Sequence, residues 1–465
     1  ERIERALAEA SDTEEVLVGA GAVERTGEVF ARLFDDQPAV VVADEHTWEI
    51  AGRDVERSLS GSARELADRY VLPGRPALHA DYRHVEALVT ALRRHRAIPV
   101  AVGSGTINDL VKRASHEVRR RYLCVGTAAS MDGYTSFGAS ITKDGYKWTM
   151  SCPAPRAVLA DRRILRTAPA TMTSSGYGDL LGKVTAGADW MIADELQVEP
   201  IDAAVWDRVQ GSLRGALGRP GELHAGGEAA LDGLIEGLLL SGLAMQAAQS
   251  SRPASGAEHQ FSHLWEMEGL GEGDEPPLSH GFKVGVGSIA IAALYERILA
   301  RDLGQLDTDA LVEAWPTWQA VEAEIRRSIT LPGVADQAVE QSRAKYAEPA
   351  LLRRRLDRLR DRWPILRRRL QDQLLPAAEL RRMLGQAGCP VGPEAIGLDR
   401  GRFHDAYRRA RMIRGRYTVL DLAAETGILE ACVEELFGEG GFWRQDGGRD
   451  VERWSIEEQG GGARG

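Results

Sequence analysis

Cysteine is scarce in this sequence: Cys124, Cys152, Cys389 and Cys432 are the four among 465 residues, and no two stand in a C-x-x-C spacing. Neither a disulfide framework nor a thiolate zinc site is indicated, and a reducing cytoplasm is the expected compartment. An excess of positive charge is missing too. Lys and Arg number 58 against 69 Asp and Glu, for a net charge of −11, so the chain as a whole does not attract nucleic acid or anionic lipid. Any anionic substrate must be held by a local site. Long apolar runs are also lacking. The longest, Val284 to Tyr295, is too short to span a bilayer, and the chain opens on the charged, helix-favouring run Glu1 to Ala10 instead of an apolar export segment. The remainder is a globular composition, 43% hydrophobic and 27% charged, long enough for two or three domains.

Short β-branched runs alternate with helical patterns in the first 170 residues: Val16 to Val18, Ala39 to Ala43, Ile98 to Val102 and Tyr122 to Val125. This alternation predicts βαβ units and a parallel sheet. After about Thr171 the strand signals stop, and apolar residues recur every three or four positions through Leu231 to Ala248, Val284 to Ile298 and Leu351 to Leu370, which predicts an all-helical second half. The expected division is residues 1–170, 171–445 and a Gly-rich, charged tail at 446–465, with a boundary near Pro169. The nine arginines between Arg353 and Arg369 surround an apolar stripe at 352, 356, 359, 363, 366 and 370. They predict a solvated or subunit-facing helix, bent at Pro364, and not a nucleic-acid patch.

Three clusters carry chemistry. Gly103-Ser104-Gly105-Thr106-Ile107-Asn108-Asp109 follows an apolar strand and opens a helix, a setting in which glycines admit a pyrophosphate and the helix N-terminus favours its charge. Asn108 stands where G-x-G-x-x-G has its third glycine, so local sequence reads equally as a tight strand-to-helix turn. Gly19-Ala20-Gly21 is a weaker version of the same spacing. Asp44 ends the run Ala39 to Ala43, where a carboxylate can accept from an adenosine ribose and repel a 2′-phosphate; it reads equally as a helix N-cap. His259 and His263 share one helix face, and His280 follows His259 by 21 residues in a chain of ten histidines. Gln260 stands where a zincin needs Glu, which argues against a metalloprotease and leaves a metal site or an unrelated surface pair. Asp179, flanked by Gly176, Gly178 and Gly182, would complete an open site of one carboxylate and two imidazoles; the alternative is an N-cap for a helix from Leu180.

Together these motifs resemble the iron-dependent alcohol dehydrogenase and dehydroquinate synthase superfamily, and within it the sn-glycerol-1-phosphate dehydrogenase family, particularly its bacterial branch. The resemblance runs from Gly103–Asp109 through Thr127-Ala128-Ala129-Ser130-Met131-Asp132-Gly133-Tyr134, Gly178–Lys183, His259–Met267 and Pro277–Gly281 to Arg414–Asp421 and Glu434–Gly438, covering roughly residues 15 to 440. The acidic segment Gly269 to Glu275, the Arg-rich helix and the Gly-rich tail depart from it. The resemblance implies a dehydroquinate synthase-like fold, an α/β dinucleotide-binding domain with a parallel sheet followed by an all-α metal-binding domain, and a homodimer. It implies NAD(P) contacts at Gly105, Thr106, Ile107, Asn108 and Asp109, at Thr127, Ala128, Ala129 and Ser130, and at Ser136. Asp132 and His263 are then the substrate-contacting catalytic residues. One divalent metal (Zn, Ni or Fe) falls to Asp179, His259 and His280.

The expected reaction is hydride transfer between NAD(H), with NADP also accepted, and C2 of a small phosphorylated substrate, interconverting dihydroxyacetone phosphate and sn-glycerol 1-phosphate. The metal would polarise the C2 oxygen. His263 would hold a substrate hydroxyl or relay its proton, and Asp132 would orient the glycerol hydroxyls. Lys143, Lys147 and Lys183 are candidate phosphate ligands by charge only. Three alternatives stand beside this: a glycerol or polyol dehydrogenase, a cyclase using NAD transiently, and a non-catalytic dinucleotide sensor, the last disfavoured by three metal ligands it would not need.

Overall fold

All eight strands among the described residues form before residue 162 in the computed structural model, which describes residues 1–62, 65–275 and 277–444. The tail expected at 446–465 lies outside the described residues. The strands are β1 Glu15–Gly19, β2 Ala39–Asp44, β3 Tyr70–Leu72, β4 Ile98–Gly103, β5 Leu123–Gly126, β6 Ala139–Lys143, β7 Tyr146–Met150 and β8 Ala157–Asp161. Six of them pair in parallel in the order β1-β8-β5-β4-β2-β3, and β6 and β7 form a separate antiparallel hairpin. The inner strands are Val, Ala and Leu runs buried on both faces, as a parallel sheet covered by helices requires. Along one face Val41, Val100, Val102, Leu123 and Leu159 pack against Val29, Phe30 and Leu33 of helix Thr26–Phe34 and Val55 and Leu59 of helix Arg53–Gly61.

Two units make up the chain. The first comprises Glu1–Gly187, Ile201–Ser255 and Ser279–Gly281, and the second Ala188–Pro200, Gly256–Leu278 and the chain from Phe282 onward. Besides the sheet, the first unit holds the helices Ala170–Leu181, Ala203–Leu217 and Glu228–Ala248.

The second unit is helical. Phe261 and Trp265 of helix Ala257–Met267 meet Phe403 and Tyr407 of helix Arg400–Arg409 in edge and tilted ring contacts. The Arg-rich segment is one helix, Pro349–Gln373, running through Pro364, with Leu352, Leu356, Leu359, Trp363, Leu366 and Leu370 buried. Several of its arginines pair within the protein. Arg358, Arg362 and Arg369 converge on buried Glu195, and Arg355 pairs with buried Glu425 at 2.7 Å. All four cysteines are buried, and burial pushes the Cys124 thiol up to about 12, which makes it unreactive. Among the described residues no helix is long and apolar enough to cross a membrane.

Candidate active site

The sheet order reverses direction between β2 and β4: β2 leads outward to β3, and the chain returns to β4 on the other side of β2. In open α/β sheets the crevice at the carboxyl ends of such strands is where ligands bind. The register pairs Val42 with Ala101, so Asp44 and the Gly103 turn end neighbouring strands. Ser104 is the N-cap of helix Gly105–Glu117 but makes no side-chain cap bond. The first-turn amides therefore remain available to an anion. Asp44 caps the next helix: its Oδ1 accepts from Thr47 N at 2.8 Å, and Asp44 N donates to Thr47 Oγ1.

Asn108 and Lys112, on that first helix, lash down the loop that follows β5. Asn108 Nδ2 donates to Gly133 O at 3.2 Å while its Oδ1 accepts from Tyr122 O–H at 3.0 Å. Lys112 Nζ donates to Gly133 O, Ser136 O and Gly138 O at 2.9–3.0 Å. Asn108 and Ile107 are both buried, so they support the cradle from behind. Thr127 N donates to Gly103 O, and Tyr134 O–H donates to Ala128 O. Ser136 Oγ donates to Gly133 O at 3.0 Å. Asp109 accepts from Ser140 N, and burial raises its carboxyl against the pull of Lys112.

The same loop carries Asp132 to the end of helix Ala170–Leu181, where Asp179 is buried. Asp179 lies inside this helix and not at the start of one, which removes the N-cap alternative. Lys183, fully buried, bridges two carboxylates, with Nζ 2.7 Å from Asp179 Oδ1 and 2.9 Å from Asp132 Oδ2. Burial alone would lower its pKa, but the two charges outweigh it and hold the ammonium above its usual value. Asp132 N donates to Asp179 Oδ2 at 3.1 Å, and Ser241 Oγ donates to Asp132 Oδ2 at 2.8 Å. Lys183 is thus committed to carboxylates and not to a phosphate. Lys143 sits over the Tyr82 ring at 4.1 Å. His280 joins Asp179 because Gly281 has no side chain: a Cβ there would lie 1.8 Å from Ser175 O, one turn before Asp179. A ring nitrogen of His280 and a carboxylate oxygen of Asp179 come within 4.8 Å.

In the second unit, helix Ala257–Met267 carries His259 and His263 with ring centroids 6.0 Å apart. His259 Nδ1 is 2.8 Å from Glu258 Oε1, which also accepts from Gly256 N. Burial would raise the Glu258 carboxyl, yet His259 and the backbone donors keep it below the usual range. An ionised carboxylate only accepts, so Nδ1 bears a proton, and in the neutral ring this leaves Nε2 as the atom that can ligate a metal. His263 has the opposite tautomer. Arg414 Nη2 lies 3.2 Å from its Nδ1, and a guanidinium only donates, so the His263 proton sits on Nε2. Asp189 anchors the helix start, accepting from Ala257 N, Val419 N and Tyr295 O–H; burial and then Glu258 push its carboxyl up to about 7.

Residues 17–169 match the family model described as iron-containing alcohol dehydrogenase. The glycerol-1-phosphate dehydrogenase [NAD(P)+] of Halalkalibacterium halodurans is 38% identical over 257 residues, 55% of this chain and 64% of that protein, less than two thirds of its length. That of Bacillus subtilis is 37% identical over 293 residues, covering 63% of this chain and 73% of that protein. The chain belongs to the glycerol-1-phosphate dehydrogenase family. Those relatives are named as NAD(P)-linked dehydrogenases. The chain's fold is also that of the iron-containing alcohol dehydrogenase from Thermococcus thioreducens, at 14% identity and a TM-score of 0.56 over 91% of this chain and 99% of that one.

Within this family member the sequence motifs named the cradle, Asp132, Asp179 and the histidines. They did not single out the residues that hold them. Arg414 stands inside a family-like motif with no role of its own, Lys183 is marked only by its charge, and Glu258, Ser241 and Asp189 have no local signal.

Proposed function

We propose that this enzyme interconverts dihydroxyacetone phosphate and sn-glycerol 1-phosphate with NAD(H). The observation that carries the reading is the buried Asp179 beside His280, one hydrogen bond from Asp132, in a chain of this family. Asp179, His259 and His280 would hold the divalent cation (Zn, Ni or Fe), a fit supported by the donor set and by the Glu258 contact that keeps a proton on His259 Nδ1. NAD(P) would lie on the uncapped first-turn amides from Gly105 to Ile107, with Thr127 to Ser130 and Ser136 flanking it. When bound, the cation supplies Lewis acidity at the C2 oxygen and the nicotinamide supplies or accepts the hydride.

The chain's own residues orient the substrate. Asp132 accepts a substrate hydroxyl through Oδ1, since Lys183 and Ser241 occupy Oδ2. His263 donates its Nε2 proton to a substrate oxygen while Arg414 holds the ring. Asp44 at the end of β2 favours NADH over NADPH. In this reading residues 1–170 chiefly serve the dinucleotide and residues 171–445 the metal and substrate. The enzyme acts in the cytoplasm as a homodimer and does not bind nucleic acid, in keeping with its net charge of −11.

The test is NADH oxidation with dihydroxyacetone phosphate and with dihydroxyacetone, followed by chiral analysis of the product. A phosphate remote from C2 adds binding energy that orients the reacting carbon, so the unphosphorylated ketone should be much poorer in kcat/KM. Equal activity on both would point to a glycerol dehydrogenase. Activity on neither, with metal and NAD bound, would favour a cyclase or a sensor.

A further inference from the structure

Asp132 and Asp179 are 47 residues apart and reach one another from different elements, the loop after β5 and the end of helix Ala170–Leu181. Each carboxylate can rotate about its terminal torsion, and side by side they repel. Lys183 addresses both problems. Its fully buried ammonium takes one oxygen from each, Oδ1 of Asp179 at 2.7 Å and Oδ2 of Asp132 at 2.9 Å. Ser241 adds a second donor to the same Asp132 oxygen. The Asp132 backbone N–H meets Asp179 Oδ2.

We propose that Lys183 is a positioning residue that locks the metal-ligand carboxylate Asp179 and the substrate-orienting carboxylate Asp132 into one register. The inference rests on the functional reading above. With Asp132 Oδ2 occupied, the substrate hydroxyl meets Oδ1 in one orientation. With Asp179 Oδ1 drawn to the ammonium, that carboxylate cannot swing round to bind a cation through both oxygens. The direct bond between the two residues then fixes the distance from metal to substrate hydroxyl. A ligand's outer partner of this kind is commonly worth tenfold or more in metal affinity. An ammonium near a cation also repels it, so the sign of the change on its removal distinguishes a clamp from a mere counter-charge.

The experiment strips the full-length protein of metal and titrates Zn²⁺ against a chromogenic chelator in the wild type, Asp132→Asn, Lys183→Met and the double variant. Lys183→Met alone leaves two buried carboxylates uncompensated and can fail to fold. The decisive comparison is therefore Asp132→Asn with Asp132→Asn/Lys183→Met, where one of those charges is already gone. The clamp predicts Zn²⁺ binding about tenfold weaker in the double variant than in Asp132→Asn. Equal or tighter binding overturns it. In steady-state assays of the variants that fold, Lys183→Met raises the ketone KM in the wild-type background and adds nothing once Asp132 is replaced; additive effects on KM would likewise overturn the coupling. Wild-type protein that binds no Zn²⁺, Ni²⁺ or Fe²⁺ would overturn the metal-site reading itself and the clamp with it. A wild type that binds metal while the two comparison variants match would overturn the clamp alone.

Discussion

Gly281→Ala tests whether the close approach of two backbones builds the metal site. A Cβ at position 281 would lie 1.8 Å from Ser175 O, 2.6 Å from Ser175 C and 2.8 Å from Ser175 Oγ. Two of those atoms belong to the backbone of helix Ala170–Leu181, so no side-chain rotation relieves the clash. Reaching van der Waals contact requires the two segments to part by about 1.5 Å. Overpacking of this kind costs about 1–3 kcal/mol of stability. The functional cost should be larger. His280 precedes Gly281 and Asp179 lies one turn beyond Ser175, so the same displacement separates the two proposed ligands, and ligand distances to a metal tolerate only about 0.2 Å. The expected outcome is a loss of roughly 100-fold in kcat/KM, the penalty of an ångström-scale misplacement, together with weakened metal retention. Elemental analysis after dialysis and steady-state kinetics measure both. Gly215→Ala is the control, because nothing lies within 4 Å of a Cβ there. A Gly281→Ala protein with wild-type metal content and turnover would refute the argument.

Other outcomes follow from single side chains. The Asp189 carboxyl is raised from 3.8 to about 7 by burial and by Glu258, so the folded protein holds a proton that the unfolded chain releases between about pH 4 and pH 7. This contribution to stability should fall as pH rises through that window and level off above it, by a few kcal/mol at about 1.4 kcal/mol per pKa unit. Urea denaturation from pH 5 to pH 8 should give a flatter profile for Asp189→Asn, and equal slopes would mean that Asp189 does not titrate there. Arg414→Ala removes the donor to His263 Nδ1, and kcat/KM should drop about tenfold or more with metal content unchanged; loss of the metal instead would show that Arg414 supports the site as a whole. Asp44→Gly should narrow a preference for NADH over NADPH in kcat/KM while costing only a few tenths of a kcal/mol, because glycine is also a good N-cap. A wild type that prefers NADPH would confine Asp44 to capping.

Local sequence determined those features whose physics is local. An apolar run ending in Gly103-Ser104-Gly105 makes a buried strand, a tight turn and a helix N-terminus with open amides, and the structure forms them as β4 and helix Gly105–Glu117. The stripe of leucines and Trp363 identified the buried face of helix Pro349–Gln373. Two histidines four apart had to share a helix face. Short strands escaped: β3, the β6–β7 hairpin and β8 are three to five residues long, and β8 nevertheless sits between β1 and β5 in the sheet. Length alone does not explain this, since β1 and β5 are as short and were legible; pairing in a parallel sheet depends on where the chain returns, which local sequence does not show. The same limit applies to the site. Asp132 meets Asp179 across 47 residues and Ser241 across 109, and Arg414 reaches His263 across 151. Sequence could say which groups are able to carry chemistry, because side-chain type sets what a group can donate, accept or ligate. Only the tertiary structure decided which atoms remain available, since each hydrogen bond from Lys183, Glu258 or Arg414 forms where distant segments of chain are packed together.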